Sequence, residues 1–451
     1  MERYAKYKDS GIAWLGGIPE HWNILRLKIL VPFSLNGIWG DEPKNEEHDV
    51  VCIRVADFDM DSLSVSTLKL TLRNIDIQKN KARLLEENDL LIEKSGGGEK
   101  TPVGRVIQNS LSQTAVSSNF IGKLILNRYL AFSRYLTYLF FSLYSIGINT
   151  RSIKQTTGIQ NLDLDSYLDE LTGVPPLEEQ KAIAAYLDRK TAEIDELIAQ
   201  KERLIALYEE EKTAIINEAV TKGINPDVKL KPTAIDWLGD IPEHWEVEPI
   251  KYSLEALVDC EHKTAPFVDE SDYFVVRTSN VKNGKLVFDD AKFTTEEGYK
   301  LWTRRGVPRI GDVLLTREAP AGEACLVPEK QKICLGQRMV WLKLDKKRIL
   351  PEFVISLIYS KLAKTYIDFL SAGSTVAHFN MSDINNIPIV SMPLEEQKAI
   401  AEYIEKETTR IDTKIAKTKR IIELQKEYRT ALISEAVTGK IKIPDLTELD
   451  Q

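Results

Sequence analysis

The sequence predicts an α+β chain of two tandem halves, in which each half is a globular α/β-type region followed by one long helix. Two observations carry this prediction. A segment that begins PLEEQKAIAAYL spans residues 176–223, and a second copy that begins PLEEQKAIAEYI spans 393–439. Ahead of each copy, WLGGIPEHW at 14–22 recurs as WLGDIPEHW at 237–245. The halves join near 223–232, where GINPDVKLKP supplies turn-forming residues.

Each PLEEQ copy has the pattern of one continuous helix. Proline opens it, two glutamates in the first turn favour the helix dipole, and Gly223 or Gly439 stands just past its end. Apolar residues at three- and four-residue spacing form a stripe typical of a coiled-coil seam. The predicted seam is Ile183, Leu187, Ile194, Ile198, Ile205, Tyr208 and Ile215 in the first copy and Ile400, Ile404, Ile411, Ile415, Ile422 and Leu432 in the second.

We expect the two stripes to pack on each other, because two copies in one chain are always at high effective concentration. Two surface helices of ordinary domains are the alternative. The predicted domains are globular regions at 1–173 and 224–390, a first helix at 174–223, and a second helix with the C-terminal tail at 391–451.

The two globular regions have diverged in sequence but keep matching landmarks. In chain order these are a strand with an arginine and a turn, a short strand, a glycine-containing loop, another strand, an apolar helix and a polar turn. They lie at 51–57 and 274–280, 89–92 and 312–315, 93–101 and 316–323, 120–126 and 339–344, 129–144 and 351–370, and 155–161 and 372–378. We therefore predict a small twisted sheet with one or two helices in each half.

Composition is that of an ordinary globular protein, with 43% hydrophobic and 28% charged residues. The net charge of −8 argues against nucleic-acid binding by the chain as a whole, although local basic patches decide that question.

Four scattered cysteines without a CxxC pair argue against a disulfide framework or a zinc site, and reduced cysteines are typical of the cytoplasm. The polar start MERYAKYKDS predicts no signal peptide, and the apolar stretch 129–146, which contains Arg134, predicts a buried helix.

Sequence signatures of catalysis are missing. The chain has no GxxxxGK[ST] phosphate loop, no GxGxxG turn, no GxSxG elbow and no [DNS]PP[YFW] tetrapeptide. We therefore predict no catalytic residues, no metal ligands and no enzymatic activity, with an enzyme of unrecognised type as the alternative. The glycines at 96–98 indicate either a loop that lets the backbone approach DNA or a plain turn. His21 and His244 are predicted to pack or cap structurally, and Trp14, Trp22, Trp237 and Trp245 to anchor each N-terminal arm.

Basic and polar loop residues are the candidate DNA contacts. Lysine and arginine neutralise phosphates, arginine can bind guanine with two hydrogen bonds, and glutamine can bind adenine. Solvated surface charge is the alternative for each of them. The candidates are Lys94, Lys100, Thr101, Arg105, Arg151, Lys154 and Gln155 in the first half and Lys263, Arg304, Arg305, Arg317, Arg338, Thr375 and His378 in the second.

These motifs together resemble the specificity subunit of type I restriction–modification systems. The resemblance rests on the PLEEQ helices, the IPEHW starts, GDVLLTREAPAGEACLV at 311–327 and GSTVAHFNMSDINNIPI at 373–389, and it covers nearly the whole chain. The segment 152–164 matches the family pattern less closely than 373–389. The resemblance implies two target-recognition domains that each bind half of a split double-stranded DNA site. It also implies an antiparallel coiled coil with a pseudo-twofold internal repeat.

The resemblance further implies partners and a location for the chemistry. Two methyltransferase subunits and motor–nuclease subunits would assemble on this chain, directing adenine-N6 methylation or cleavage of DNA. S-adenosylmethionine, ATP and Mg would then belong to those partner subunits, with no cofactor and no membrane contact on this chain. A protein-interaction adaptor that uses the coiled coil as a platform and binds no DNA is the alternative function.

Overall fold

Two compact units make up the chain. The computed structural model describes residues 2–156, 158–233, 235, 238–371 and 379–444. Unit 1 comprises Met1–Gln200 and Arg420–Gln451, and unit 2 comprises Lys201–Lys419. Each unit therefore contains one globular region together with a part of each long helix.

The globular region of unit 1 consists of short strands and short helices and leads into a long helix, which continues into unit 2. Its strands are β1 (Tyr7–Asp9), β2 (Gly17–Pro19), β3 (Asn23–Arg26), β4 (Phe33–Asn36), β5 (Asp49–Ile53), β6 (Phe58–Asp59), β7 (Ser64–Val65), β8 (Thr71–Asn74), β9 (Leu90–Glu93), β10 (Ser95–Gly96), β11 (Val106–Gln108), β12 (Ala115–Ser117), β13 (Ile121–Ile125), β14 (Ile153–Thr156), β15 (Ile159–Leu162) and β16 (Leu171–Val174). The helices that follow the same numbering are α1 (Leu27–Leu30), α2 (Ser133–Ser145), α3 (Leu164–Leu168) and the long α4 (Leu177–Lys222).

Unit 2 repeats this order of elements. Its strands are β17 (Leu230–Pro232), β18 (Asp240–Pro242), β19 (Glu246–Pro249), β20 (Leu254–Asp259), β21 (Tyr273–Val276), β22 (Val281–Lys282), β23 (Lys285–Leu286), β24 (Phe293–Thr294), β25 (Val313–Thr316), β26 (Ala324–Leu326), β27 (Lys332–Leu335), β28 (Met339–Leu344) and β29 (Pro388–Ser391). Its helices are α5 (Glu296–Trp302), α6 (Pro351–Ile358), α7 (Lys361–Ser371), α8 (Met381–Asn385) and the long α9 (Leu394–Val437).

Four central strands follow the same order in both units, and the sheet of unit 1 continues with β7 and β6. In unit 1 the antiparallel strands β4, β13, β9 and β11 lie side by side, and in unit 2 the antiparallel strands β20, β28, β25 and β26 do so. A second sheet in each unit contains a parallel pair, β5 with β12 and β21 with β27. An outer antiparallel pair, β3 with β16 and β19 with β29, connects the start of each globular region to its end. The topology confirms an α+β chain built from an internal repeat.

Within each unit the two long helices run antiparallel. In unit 1 the Arg429 Nε lies 3.0 Å from Asp195 Oδ1. In unit 2 the Lys212 Nζ lies 2.6 Å from Asp412 Oδ1. The partner residue in α9 falls from 429 to 412 as the residue in α4 rises from 195 to 212, which is the order expected of antiparallel helices. The predicted pairing of α4 with α9 is thereby confirmed within each unit.

The predicted seam residues are buried to different extents. Those that are buried are Ile183, Leu187, Ile194, Ile400, Ile404, Ile411, Ile415, Ile422 and Leu432. Ile198, Ile205, Tyr208 and Ile215 are half-buried, while the neighbour Ile216 is buried. At 215–216 the buried residue is therefore Ile216 rather than the predicted Ile215, and Ile216 packs in the hydrophobic core of unit 2.

Three details of the predicted elements are wrong. The sheet in each half is divided into several sheets rather than one. The apolar helix at 351–370 is broken into α6 and α7, because the Ser360 amide and hydroxyl both donate to the Leu357 carbonyl and end α6 in a tight turn. The polar turn at 155–161 is a hairpin of β14 and β15, with Gly158 at φ +87° beside the turn. The counterpart turn at 372–378 lies outside the described residues.

The first-half apolar helix also starts later than predicted. α2 begins at Ser133, whereas residues 129–132 precede it as a turn in which the Leu130 and Ala131 amides donate to the Asn127 carbonyl. The Phe132 amide at the helix start donates to the side chain of Gln180 at 2.9 Å. The start of α2 is therefore set by a tertiary contact that the local pattern does not contain.

Candidate nucleic-acid interface

The second glutamate of the first PLEEQ copy holds the N-terminal arm of unit 1. Its carboxylate accepts hydrogen bonds from the Tyr4 hydroxyl at 2.6 Å and from the Trp22 indole at 3.1 Å. The His21 Nε2 lies 2.8 Å from the other carboxylate oxygen of Glu179. Burial, together with the hydrogen bond to Glu179, raises the pKa of the Tyr4 hydroxyl well above its usual value. We call this set of contacts the Glu179 clamp.

Unit 2 contains an equivalent set of contacts around Glu396, called here the Glu396 clamp. Glu396 lies 2.9 Å from His244 Nε2 and accepts a hydrogen bond from the Trp245 indole at 3.0 Å. Trp22 and Trp245 are both fully buried, so the predicted anchoring by these two tryptophans is confirmed. Trp14 is half-buried, and Trp237 lies outside the described residues. The near-identity of IPEHW and PLEEQ in the two halves therefore has a structural cause, because each motif is the partner of the other.

The glutamine of PLEEQ joins each long helix to the apolar helix of its globular region. The Gln180 amide donates to the carbonyls of Pro175 and Leu130, and its oxygen accepts from the Phe132 amide. In unit 2 Gln397 donates to the carbonyls of Met392 and Arg348 and accepts from the Leu350 amide. Both glutamines are buried, so every polar atom of the side chain finds a backbone partner. These bonds set the orientation of each globular region on its own helix portion.

The glycine loop of unit 1 borders a surface pocket of about 410 Å³ between Trp39 and Phe120, called here the Trp39–Phe120 pocket. Its lining residues are Trp39, Arg54, Val55, Ala56, Glu93, Ser95, Gly96, Gly97, Thr101, Arg105, Ser118 and Phe120. Glu93 is fully buried at the end of β9, where the Arg105 guanidinium donates to it at 2.7 and 3.1 Å. The pocket thus combines aromatic walls with an ion-paired floor.

The backbone of this loop has positive φ at both Gly96 and Gly97, and at Gly97 a side chain would also collide with its surroundings. Gly97 has φ +57°, and a Cβ there would lie 2.8 Å from the Val103 Cγ1 and 2.9 Å from the Val103 backbone nitrogen. A Cβ at the neighbouring Gly98 would meet open space. The close approach at Gly97 shapes the rim of the Trp39–Phe120 pocket, and the contact of this loop with DNA stays a prediction.

Gly97→Ala is expected to destabilise unit 1 by about 1–2 kcal/mol, because the added methyl meets backbone atoms and the left-handed conformation disfavours alanine. The measurement is the urea-unfolding midpoint of the full chain. Gly98→Ala is the matched control, since it adds the same methyl one residue away into open space. Equal unfolding midpoints for the two variants would contradict the packing at Gly97.

Among the first-half DNA candidates, the structure places Thr101 and Arg105 together in the Trp39–Phe120 pocket. Lys94 is half-buried beside it, donates to the Asn36 side chain, and has its pKa lowered by burial. The remaining candidates are exposed. These are Lys100, Arg151, Lys154 and Gln155, of which Lys154 pairs with Asp163 at 2.6 Å and Arg151 lies 3.5 Å from Glu170. Their contact with DNA stays a prediction.

In the second half, two of the candidate arginines bond to Asp259 at the end of β20. Arg317 is 7% exposed, and its guanidinium donates to Asp259 at 2.9 Å and to the Phe379 carbonyl. Arg305 donates to the carbonyls of Asp259 and Cys260. Arg305 is exposed, as are Lys263, Arg304 and Arg338, with Arg304 3.8 Å from Glu261 and Arg338 3.4 Å from Glu318. Thr375 and His378 lie outside the described residues. Base contacts by this half also stay predictions.

One cluster in unit 2 was not singled out from the sequence. The ligand-type atoms of Asp259, Cys260 and His262 lie within 4.8 Å of one another, and the only signal for it in the sequence is the D-C-x-H spacing. His262 turns Nε2 toward Asp259 at 2.8 Å and Nδ1 toward the Cys260 sulfur at 3.9 Å. Because the two ring nitrogens point in different directions and the Arg317 guanidinium already binds Asp259, these residues suit a hydrogen-bonded network better than a metal ion.

Burial makes three of the thiol groups unreactive. All four cysteines are buried and free. Burial raises the pKa of Cys52 to about 11 and those of Cys325 and Cys334 to about 12, which keeps these sulfurs protonated at neutral pH. Among the helices in the described part of the chain, none is at once long enough and apolar enough to span a membrane.

Comparison with known proteins places these features in one family. The chain is 25% identical over 453 residues to the type I restriction enzyme MjaVIII specificity subunit of Methanocaldococcus jannaschii, which covers 98% of each chain. It is 25% identical to the type I restriction enzyme EcoKI specificity subunit of Escherichia coli over 211 residues, which cover 45% of this chain and 44% of that protein.

Solved structures show the same fold. A chain from a type I R-M system, solved in a study of its complex assembly and conformational transition, superposes with a TM-score of 0.69 at 15% identity, covering 93% of this chain and 98% of that one. The HsdS subunit from Thermoanaerobacter tengcongensis superposes with a TM-score of 0.53 at 16% identity, covering 94% and 98%. The sequence profile described as the type I restriction modification DNA specificity domain matches residues 19–206 and 260–425, one stretch in each half. The chain therefore belongs to the family of type I restriction–modification DNA specificity subunits.

Proposed function

We propose that this chain binds a bipartite, asymmetric DNA target, each globular region contacting one half-site. We call each clamp, together with the long-helix portion that it holds, the frame of its globular region. The proposal rests on the contrast between the two frames, which have equivalent contacts at Glu179 and Glu396, and the loops that they carry, which differ. Two copies of one frame with different recognition surfaces are what a two-part, non-palindromic target requires.

The difference between the loops begins at equivalent strand ends. β9 ends in Glu93, which pairs with Arg105, whereas β25 ends in Thr316, which donates to the Pro320 carbonyl. The next residue is Lys94 in the first half and the buried Arg317 in the second. These buried contacts differ at matched positions, so they hold the loops that follow in different shapes. Loops of different shape present different side chains to base edges and favour different base sequences.

The exposed lysines and arginines of both halves would supply phosphate contacts, which makes the affinity dependent on salt. In this proposal the long helices dock methyltransferase and motor–nuclease subunits, and the reactions they carry out are adenine-N6 methylation or DNA cleavage. S-adenosylmethionine, ATP and Mg would be bound by those partners in the cytoplasm. This chain would contribute recognition and assembly and carry out no chemistry itself.

The test is methylation mapping with a domain exchange. Cells that express this chain with its methyltransferase partner are expected to carry N6-methyladenine within one split motif. Replacing residues 23–174, which run from β3 to β16, with the corresponding residues of another family member should change one half of that motif and leave the other half and the spacer intact. Specific binding should exceed non-specific binding by about 10³-fold or more.

Two results would contradict the proposal. One is a methylated motif that is contiguous rather than split. The other is an exchanged chain that alters both half-sites or neither. Sequence-independent DNA binding together with tight partner binding would instead favour the protein-interaction adaptor.

A further inference from the structure

We propose that the Trp39–Phe120 pocket accepts a single nucleobase that has left the DNA stack. This inference rests on the proposed function, since it requires that the chain binds DNA. It goes further, because contacts to base edges in a groove need no pocket. The walls, the floor and the rim of the pocket each favour a single base.

The walls are aromatic rings that the fold holds at the surface. Trp39 is 37% exposed and Phe120 is 49% exposed. The Arg73 guanidinium lies 4.1 Å from the Trp39 ring centroid and covers that part of the indole. The Phe120 carbonyl accepts a hydrogen bond from the Lys94 amide at 2.8 Å, which fixes the backbone that carries the second ring. Two exposed rings on a fixed backbone are suited to stacking with a planar group.

The floor is polar but its charges are paired. Arg105 donates to the buried carboxylate of Glu93, and the Arg54 guanidinium donates to Asp57 at 2.8 and 3.2 Å. The charge of each guanidinium is balanced by a buried carboxylate, so the floor attracts a phosphate only weakly. A neutral heterocycle fits better, because a guanidinium can donate to a ring nitrogen or carbonyl while it keeps its ion pair. The paired charges therefore favour a nucleobase over a free anion.

The rim allows a sugar–phosphate chain to come close. Gly96 and Gly97 present backbone without side chains, and Lys100 and Thr101 are exposed next to them. A lysine in this position can neutralise a phosphate that flanks the bound base. A volume of about 410 Å³ is in the range of small-molecule sites and exceeds what one base needs. A stacked base pair cannot enter such a concave site, so the base would have to be extruded from the duplex.

The experiment is a double-mutant cycle between Phe120→Ala and an abasic site. The full chain, assembled with its methyltransferase partner, is titrated with duplexes of the mapped target in which one nucleotide at a time lacks its base. On the intact duplex Phe120→Ala is expected to weaken binding about 5- to 100-fold, the size of one base–aromatic stack. On one particular abasic duplex the same substitution should have no further effect.

The controls separate this inference from the proposed function. Phe33→Ala removes an equally exposed ring, 57% exposed on β4 and outside the pocket, and should leave affinity unchanged. Both variants should keep the unfolding midpoint of the parent chain. If the target is bound specifically but no abasic position couples to Phe120, the pocket takes no base from DNA and the proposed function stands. If no DNA sequence is preferred, both fail. Phe120-dependent binding of free deoxynucleosides without coupling on DNA would assign the pocket to a free nucleotide and overturn the inference.

Discussion

Ile411→Asp is expected to destabilise unit 2 by about 3–5 kcal/mol, because it removes a buried aliphatic side chain and places a carboxylate in its position. Ile411 is fully buried in α9, one residue before the Asp412 that pairs with Lys212 of α4. The carboxylate introduced at 411 would take the place of an apolar side chain in the predicted seam, next in sequence to the carboxylate of Asp412. The measurement is urea unfolding of the full chain, followed by helix circular dichroism and by tryptophan fluorescence.

Ala416→Asp is the control for this prediction. It introduces the same carboxylate on the same helix at an exposed position and should change the free energy of unfolding by about 0.5 kcal/mol or less. Ile194→Asp repeats the test in unit 1, where Ile194 belongs to the buried core. If the Ile411 and Ala416 variants were equally stable, the residue at 411 would not lie in a helix–helix seam. The double variant with both seam substitutions should also weaken the preference for one spacer length in the proposed DNA target.

The repeat architecture could be predicted from the sequence because it depends on local and repeated signals. The helix-start prolines, the first-turn glutamates and the periodic isoleucines each act within one or two turns, and the second copy shows the same pattern again. The partnership between IPEHW and PLEEQ could not be found this way. Trp22 and Glu179 are 157 residues apart, and nothing local to either motif indicates the other.

The recognition surface was less predictable for a related reason. Arg317 has the residue type of a DNA contact, but the fold buries it against Asp259, a partner 58 residues away. Trp39 and Phe120 did not stand out, because an isolated aromatic residue in a loop has no periodicity. Only the pairing of β9 with β13 and of β4 with β13 brings their loops to one pocket. Sequence patterns therefore identify the frame, and tertiary contacts select which loop residues form a site.

Glu179→Ala should destabilise unit 1 by about 2–4 kcal/mol, since it removes the acceptor for three groups at once and leaves the buried Trp22 indole N–H without a partner. Glu396→Ala in unit 2 should cost about 1 kcal/mol less, because two groups rather than three contact Glu396. Glu179→Gln keeps one acceptor oxygen and should fall between the parent chain and the alanine variant. Thermal and urea unfolding of the full chain measure all three differences.

The neighbouring glutamates are matched controls, because the preceding residue in each PLEEQ motif is also a glutamate but faces solvent. The Glu178 side chain is 83% exposed and pairs with Lys181 of the same helix, so Glu178→Ala should cost about 0.5 kcal/mol or less. A cycle with Trp22→Phe, which keeps an aromatic ring but removes the N–H, then isolates the clamp. If Glu179 accepts from the indole, the double variant should lose less stability than the sum of the two single variants. Strict additivity would mean that Glu179 and the Trp22 indole N–H do not interact, and the identity of the two motifs would need a different cause.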